Sequence, residues 1–127
     1  MPSVVFLDAS ARTQDLLNVK WVLRSAGHSI SSTWHDERNQ QTRSPQRHLS
    51  KREFEQLQSS DVLLVVCANM EDVSADVGMM AGFAMARGLK MVWIGPGVDT
   101  VSPLQSVRHF DTVDMLRRHL LSQPELN

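Results

Sequence analysis

The stretch from Ser60 to Pro96, SDVLLVVCANMEDVSADVGMMAGFAMARGLKMVWIGP, constrains the fold of this chain more than any other. Asp61 opens an unbroken apolar run, Val62-Leu63-Leu64-Val65-Val66-Cys67. A run so short, rich in β-branched side chains and without polar alternation, suits a strand covered on both faces, as in a parallel sheet. A second run, Met91-Val92-Trp93-Ile94, stops at Gly95-Pro96-Gly97, which can hardly continue regular structure. Between the two, Ala81, Gly82, Ala84 and Ala86 give a helix a thin face that lets its backbone pack close to a sheet. Strand, helix and strand with a crossover of this size make a βαβ unit, and in such sheets ligands bind beyond the carboxyl ends of the strands. The loop from Ala68 to Ala75 and the helix start near Asp76 to Gly78 are therefore the first place to look for function.

The flanking sequence repeats the alternation. Val4-Val5-Phe6-Leu7 predicts a first strand that ends at Asp8-Ala9-Ser10-Ala11-Arg12. Ser10 or Thr13 can cap the next helix, whose apolar positions Leu16, Val19, Leu23 and Ala26 fall at helical spacing before Gly27 ends it. His28 to Trp34 reads as a more polar edge strand. Asp36 to Leu49 has almost no apolar residues and reads as a long loop. The basic segment from Arg38 to Arg52 suits a lid over a phosphate, a nucleic-acid arm or plain solvation. Ser50-Lys51-Arg52-Glu53 is a capping box that opens a helix with Phe54 and Leu57 inward. Val107-Arg108-His109-Phe110 predicts a last strand, and Val113, Leu116 and Leu120 predict a final helix whose tail frays at Pro124. The expectation is one α/β domain over residues 1–127, with a doubly wound, five-stranded parallel sheet of flavodoxin-like or Rossmann-like type and helices on both faces.

Several chemistries are excluded. No G-x-x-x-x-G-K-[ST] is present, no G-x-G-x-x-G follows the first strand, and G-x-S-x-G is absent. A phosphoacceptor aspartate at the end of the third strand is replaced by Cys67-Ala68-Asn69. The single cysteine lies inside an apolar run, so it reads as an inert core thiol and rules out a disulfide framework. The five histidines, at 28, 35, 48, 109 and 119, lack metal-ligand spacing, and each reads as a surface or capping residue. No metal and no cofactor are expected. A net charge of −1 argues against bulk binding to nucleic acid or anionic membrane. No apolar run approaches the roughly 20 residues of a membrane span, and Met1-Pro2-Ser3 carries no cationic leader, so a soluble, cytoplasmic protein is expected.

What remains is an anion site. Ser74-Ala75-Asp76-Val77-Gly78 crosses from loop to helix, where unpaired N–H groups and the helix dipole favour a phosphate. Ser74 adds a hydroxyl donor and Gly78 allows close approach to the backbone. The competing reading is that Ser74 or Asp76 simply caps the helix.

The motifs in their order resemble those of the nucleoside 2-deoxyribosyltransferase superfamily, which includes deoxynucleoside 5′-monophosphate N-glycosidases. Ala9-Ser10-Ala11-Arg12 is similar to its Gly/Ala-Ser-x-Arg turn, and Glu53 through Val62 to its D-x-x-x-L-x-x-A-D-V segment. Ser74 through Ala84 is similar to S-x-G-x-G-x-E-x-G-x-A, and Trp93-Ile94-Gly95-Pro96 with His109-Phe110-Asp111-Thr112 to the ending of small relatives. The resemblance implies a nucleoside or nucleotide ligand held by Ser10, Arg12, Ser74 and Gly78, and a homodimer; Asp8, at the end of the first strand, joins the ligand site if its side chain is not on the core face. It implies N-glycosidic cleavage by a helix glutamate assisted by an acid, which requires a carboxylate at the attacking position. That position is Met80 here, the assisting acid is Glu53, and the first motif glycine is Asp76. Three readings follow: a nucleotide-binding domain with lost or weak activity, an active N-glycosidase or deoxyribosyltransferase using a displaced carboxylate such as Asp76, Glu53 or Asp8, and a protein-interaction scaffold without a small ligand. Met79, Met80 and Met85 crowd the central helix and read as core or dimer interface.

Overall fold

A computed structural model describes residues 3–9, 13–32, 51–67, 75–96 and 107–126 of the chain. The elements are β1 (Val4–Ala9), α1 (Thr13–Ser25), β2 (Ser29–Ile30), α2 (Lys51–Gln58), β3 (Val62–Val66), α3 (Ala75–Ala86), β4 (Lys90–Ile94), β5 (Val107–Phe110) and α4 (Val113–Ser122). The strands form one five-stranded sheet in the order β2-β1-β3-β4-β5, and every pairing is parallel. This is the doubly wound α/β architecture expected from the alternating elements.

The alternation of side chains along each strand divides the interior in two. Val5 and Leu7 of β1, Val62, Leu64 and Val66 of β3, and Val92 and Ile94 of β4 pack with Leu16, Val19 and Leu23 of α1 and Leu116 and Leu120 of α4. The intervening Phe6, Leu63, Val65, Met91 and Trp93 pack on the other face with Leu57 of α2 and Met80, Ala81 and Ala84 of α3. All five residues of β3 are buried, which is why that strand reads as a continuous apolar run.

Strand β2 is shorter than the segment His28 to Trp34 read from the sequence. Its ladder continues through Ser31, whose N–H donates to Val5 O at 2.9 Å. Ser32 then substitutes side chain for backbone: its hydroxyl accepts from Leu7 N–H at 3.0 Å and donates to Leu7 O at 2.9 Å. Both polar groups of a fully buried β1 residue are thereby satisfied by one serine that is 1% exposed.

Two other expectations are corrected. His28 is buried, not a surface or capping residue: its Nδ1 accepts from Ser3 N–H at 3.0 Å and its Nε2–H donates to Pro124 O at 2.6 Å. Accepting at one ring nitrogen while donating at the other requires the neutral imidazole. The tail after α4 is not frayed, because Leu126 is 3% exposed and joins the core beside α1 and α4. The long loop from Asp36 to Leu49 and the capping residue Ser50 lie outside the described residues.

Candidate functional site

The sheet reverses direction between β1 and β3. From β1 the chain winds outward to β2 through α1 on one face, then returns through α2 on the opposite face to β3. The connections diverge at that point and leave a crevice beyond the carboxyl ends of the two strands, where α/β sheets bind ligands. Because the strands are parallel, the helix following β3 begins at this edge, so the start of α3 sits there.

Asp8 is the acidic residue that β1 carries to this edge. It pairs in register with Val65, Val65 with Trp93, and Trp93 with His109. Paired residues of parallel strands share a face, and Val65 and Trp93 belong to the α2/α3 side. Asp8 therefore faces α2 and α3, and it is only 3% exposed. Its side chain is on the buried α2/α3 side of the sheet, not on the α1/α4 side with Val5 and Leu7. Carboxylates are seldom buried this deeply without a partner, and Asp8 has one.

Glu53 lies in the first turn of α2, on the same face of the sheet. It is half-buried, and its Oε2 atom is closed to solvent, as is Oε1 of Gln56 three residues on. Leu57 anchors α2 on the sheet, and the Phe54 ring packs on Phe83 of α3 with centroids 4.5 Å apart. These contacts hold the first turn of α2 against the sheet and beside the last turn of α3. Asp76 falls in the first turn of α3 and Gly78 follows it, exposed. Met80 lies one turn further along and is fully buried, in the cluster with Phe6, Leu57 and Trp93. Topology thus brings Asp8 and the start of α3 to one edge, sets Glu53 on the same face of the sheet, and leaves Met80 in the core. Ser10, Arg12 and Ser74 lie outside the described residues.

The rim is shaped by Gly95, just past the end of β4. Its φ is +99°, and a Cβ there would stand 2.0 Å from the carbonyl oxygen of Cys67. Only glycine lets the turn after β4 come this close to the end of β3. The turn is held by Gly95 N–H to Phe110 O at 3.0 Å, by Trp93 Nε1–H to Pro96 O at 2.8 Å, and by His109 Nε2–H to Gly95 O at 2.9 Å. His109 was read from the sequence only as a surface or capping residue. The structure places it in the same row as Asp8, three strand spacings or about 14 Å away. Its position was hidden because β5 is short and half exposed, so no alternation marks which of its residues share the Trp93 face. Cys67, at the end of β3, is buried, as an inert core thiol should be.

Among the described residues no group of three His, Cys, Asp or Glu side chains could hold a metal ion. No helix among them is long and apolar enough to cross a membrane. No family model, curated protein or solved structure matches the chain.

Proposed function

We propose that the chain is a nucleoside- or nucleotide-binding domain whose ligand lies in the crevice at the carboxyl edge between β1 and β3, and which has lost most or all N-glycosidase activity. The observation that carries this reading is Asp8, a carboxylate 3% exposed at the switch point and turned toward the α2/α3 side of the sheet. A buried carboxylate there suits sugar hydroxyls, which donate hydrogen bonds to it in a site shielded from water. The start of α3 offers N–H groups to a phosphate. The motif resemblance supplies the ligand class, and Ser10, Arg12, Ser74 and Gly78 would complete the ligand contacts.

The loss of activity rests on Met80. A nucleophile must reach the anomeric carbon, whereas Met80 is fully buried among apolar side chains and carries no carboxylate. The second reading, an active enzyme with a displaced acid, is favoured by one observation: Asp8 and the Glu53 Oε2 atom are both shielded from solvent on the same face. Acid–base catalysis needs carboxyl groups held within reach of the bond that breaks. The proposal includes pairing of two identical chains.

Calorimetric titration with deoxynucleosides and their 5′-monophosphates, with chromatography of the same mixtures for free base, tests both readings. Binding without base release, weakened roughly tenfold or more by Asp8→Asn, is expected. Base release abolished by Glu53→Gln or Asp76→Asn establishes the active enzyme instead. No binding by any member of the panel up to millimolar concentration refutes the nucleotide reading and leaves the scaffold.

A further inference from the structure

We infer that residues 123–126 form an acid-released clasp, held shut across the amino edge of the sheet by His28 and His119 as neutral imidazoles. The clasp lies at the edge opposite the proposed crevice and is independent of ligand binding. Helix α4 packs back on the sheet after β5, so its last turn returns toward the edge where the strands begin. There Gln123 leaves the helix in an extended conformation, its N–H donating to His119 O at 2.8 Å. Pro124 and Glu125 are exposed, whereas Leu126 is 3% exposed in the cluster that α1 and α4 share. One apolar side chain is a small anchor for a segment that otherwise runs through water. The two histidines supply the rest of the hold.

His28 follows Gly27, whose φ of +91° closes α1. Gly27 N–H donates to Arg24 O and His28 N–H to Leu23 O, both at 3.0 Å, so the end of the helix fixes where the ring sits. The ring is buried and links residues far apart in the chain: Nδ1 accepts from Ser3 N–H at 3.0 Å, and Nε2–H donates to Pro124 O at 2.6 Å. His119 repeats the arrangement at the next residue of the tail. Its Nε2–H donates to Glu125 O at 3.1 Å, and its Nδ1 faces the Arg108 guanidinium at 3.5 Å. The same ring packs on Phe110 with centroids 5.3 Å apart. Two consecutive tail carbonyls are thus each held by an imidazole whose other nitrogen meets a donor. The neutral ring with its proton on Nε2 is the form that serves both contacts.

A proton added at Nδ1 turns that acceptor into a second donor. In His28 it would point at Ser3 N–H, and in His119 at a permanent cation. His28 decides the outcome, because its buried ring has no water to satisfy the added N–H, whereas His119 is half-buried. Both nitrogens belong to one rigid ring, so turning Nδ1 away from Ser3 withdraws Nε2 from Pro124. The clasped state takes the neutral ring, while a released ring in water takes either form, so falling pH favours release. The charged residues on the segments that meet His28 are Arg24 in the last turn of α1, Asp61 ahead of β3, and Glu125 in the tail. Asp61 already accepts from Val4 N–H at 2.9 Å, and Glu125 has a partner. Around His119 stand Arg108 of β5, Glu125, and on α4 itself Asp114, which is paired with Arg117 and Arg118.

Heteronuclear NMR of the full chain between about pH 8 and about pH 5, the range in which imidazoles change charge, tests the clasp. At the alkaline end the ring nitrogen signals should show His28 neutral with its proton on Nε2, and the Leu126 methyl groups should report a buried environment. On acidification the ratio of docked to released tail should fall with a slope approaching about tenfold per pH unit, as uptake of one proton requires, in step with the His28 ring. The amides of β3 should stay protected from exchange throughout, because the release is local. His28→Gln keeps an acceptor and a donor on one planar group but does not titrate, and it should abolish the pH dependence of the tail. Leu126 equally buried at both ends of the range, a His28 ring charged at the alkaline end, loss of β3 protection together with the tail, or an acid step that persists in His28→Gln each overturns the inference. The ring and methyl signals of the unsubstituted chain decide the matter even if His28→Gln does not fold.

Discussion

Replacing Gly95 by alanine should be among the most damaging small substitutions in this protein. The added methyl meets two separate obstacles. The first is backbone conformation: at φ +99° an L side chain is strained, at a cost of about 1–3 kcal/mol. The second is space: the Cβ would stand 2.0 Å from Cys67 O, whereas even close C···O contacts lie near about 3.3 Å. The obstructing atom is backbone, so relief requires the ends of β3 and β4 to separate by more than about 1 Å. That movement strains Cys67 N–H to Ile94 O at 2.8 Å and Gly95 N–H to Phe110 O at 3.0 Å, each contributing about 0.5–1.5 kcal/mol. Together these effects predict a loss of about 3–5 kcal/mol, a large part of the stability of an ordinary domain, and a fall in Tm of roughly 10–20 °C. Gly27→Ala is the control. Gly27 has φ +91°, but a Cβ there meets nothing among the described residues within 4 Å, so only the strain should appear. Urea denaturation followed by circular dichroism measures both. If Gly95→Ala costs no more than Gly27→Ala, the close approach of the β4 turn to the end of β3 is not a feature of the folded protein and the reasoning fails.

Three further outcomes follow from buried groups and charges. Ser32→Ala removes the partner of both polar groups of buried Leu7 and should cost about 2–4 kcal/mol in urea denaturation. Met80→Leu should cost less than about 1.5 kcal/mol. Met80→Glu, in a fully buried position, should be far more damaging at pH 8 than at pH 5, because burial raises a carboxyl pKa and favours the neutral acid; equal stability at both pH values would show that residue 80 reaches solvent. The Arg117 hydrogen bond, with Arg118 adding to it, holds the exposed Asp114 below its ordinary value of 3.8. A lowered folded pKa gives stability that is present above 3.8 and lost as pH falls through the folded value, so Asp114→Asn should lessen the acid sensitivity only below about pH 4, as read from denaturation midpoints across that range.

The elements of this protein were legible in its sequence because they depend on local pattern. The apolar runs Val62–Val66 and Met91–Ile94 and the helical spacing of Leu116 and Leu120 need no knowledge of neighbours, since period and burial are written in the same residues. For the candidate site, the sequence marked Asp8 and Glu53 as acids and Met80 as the substituted position. Which of them share a face of the sheet depended on the order β2-β1-β3 and on the register of Asp8 with Val65, which are relations between distant segments. The same holds for contacts no local pattern encodes. Ser32 and His28 look like ordinary polar residues of an edge segment, yet one completes the ladder of Leu7 and the other ties Ser3 to Pro124. Sequence alone also could not separate Met80 from Met79 and Met85, since α3 is apolar on every side and has no polar face to orient it. Only packing against the sheet decided that Met80 points inward while its neighbours remain outside. Local pattern determines what an element is, because propensity and periodicity act within a few residues; tertiary structure decides what each side chain meets, because that depends on segments brought together from far along the chain.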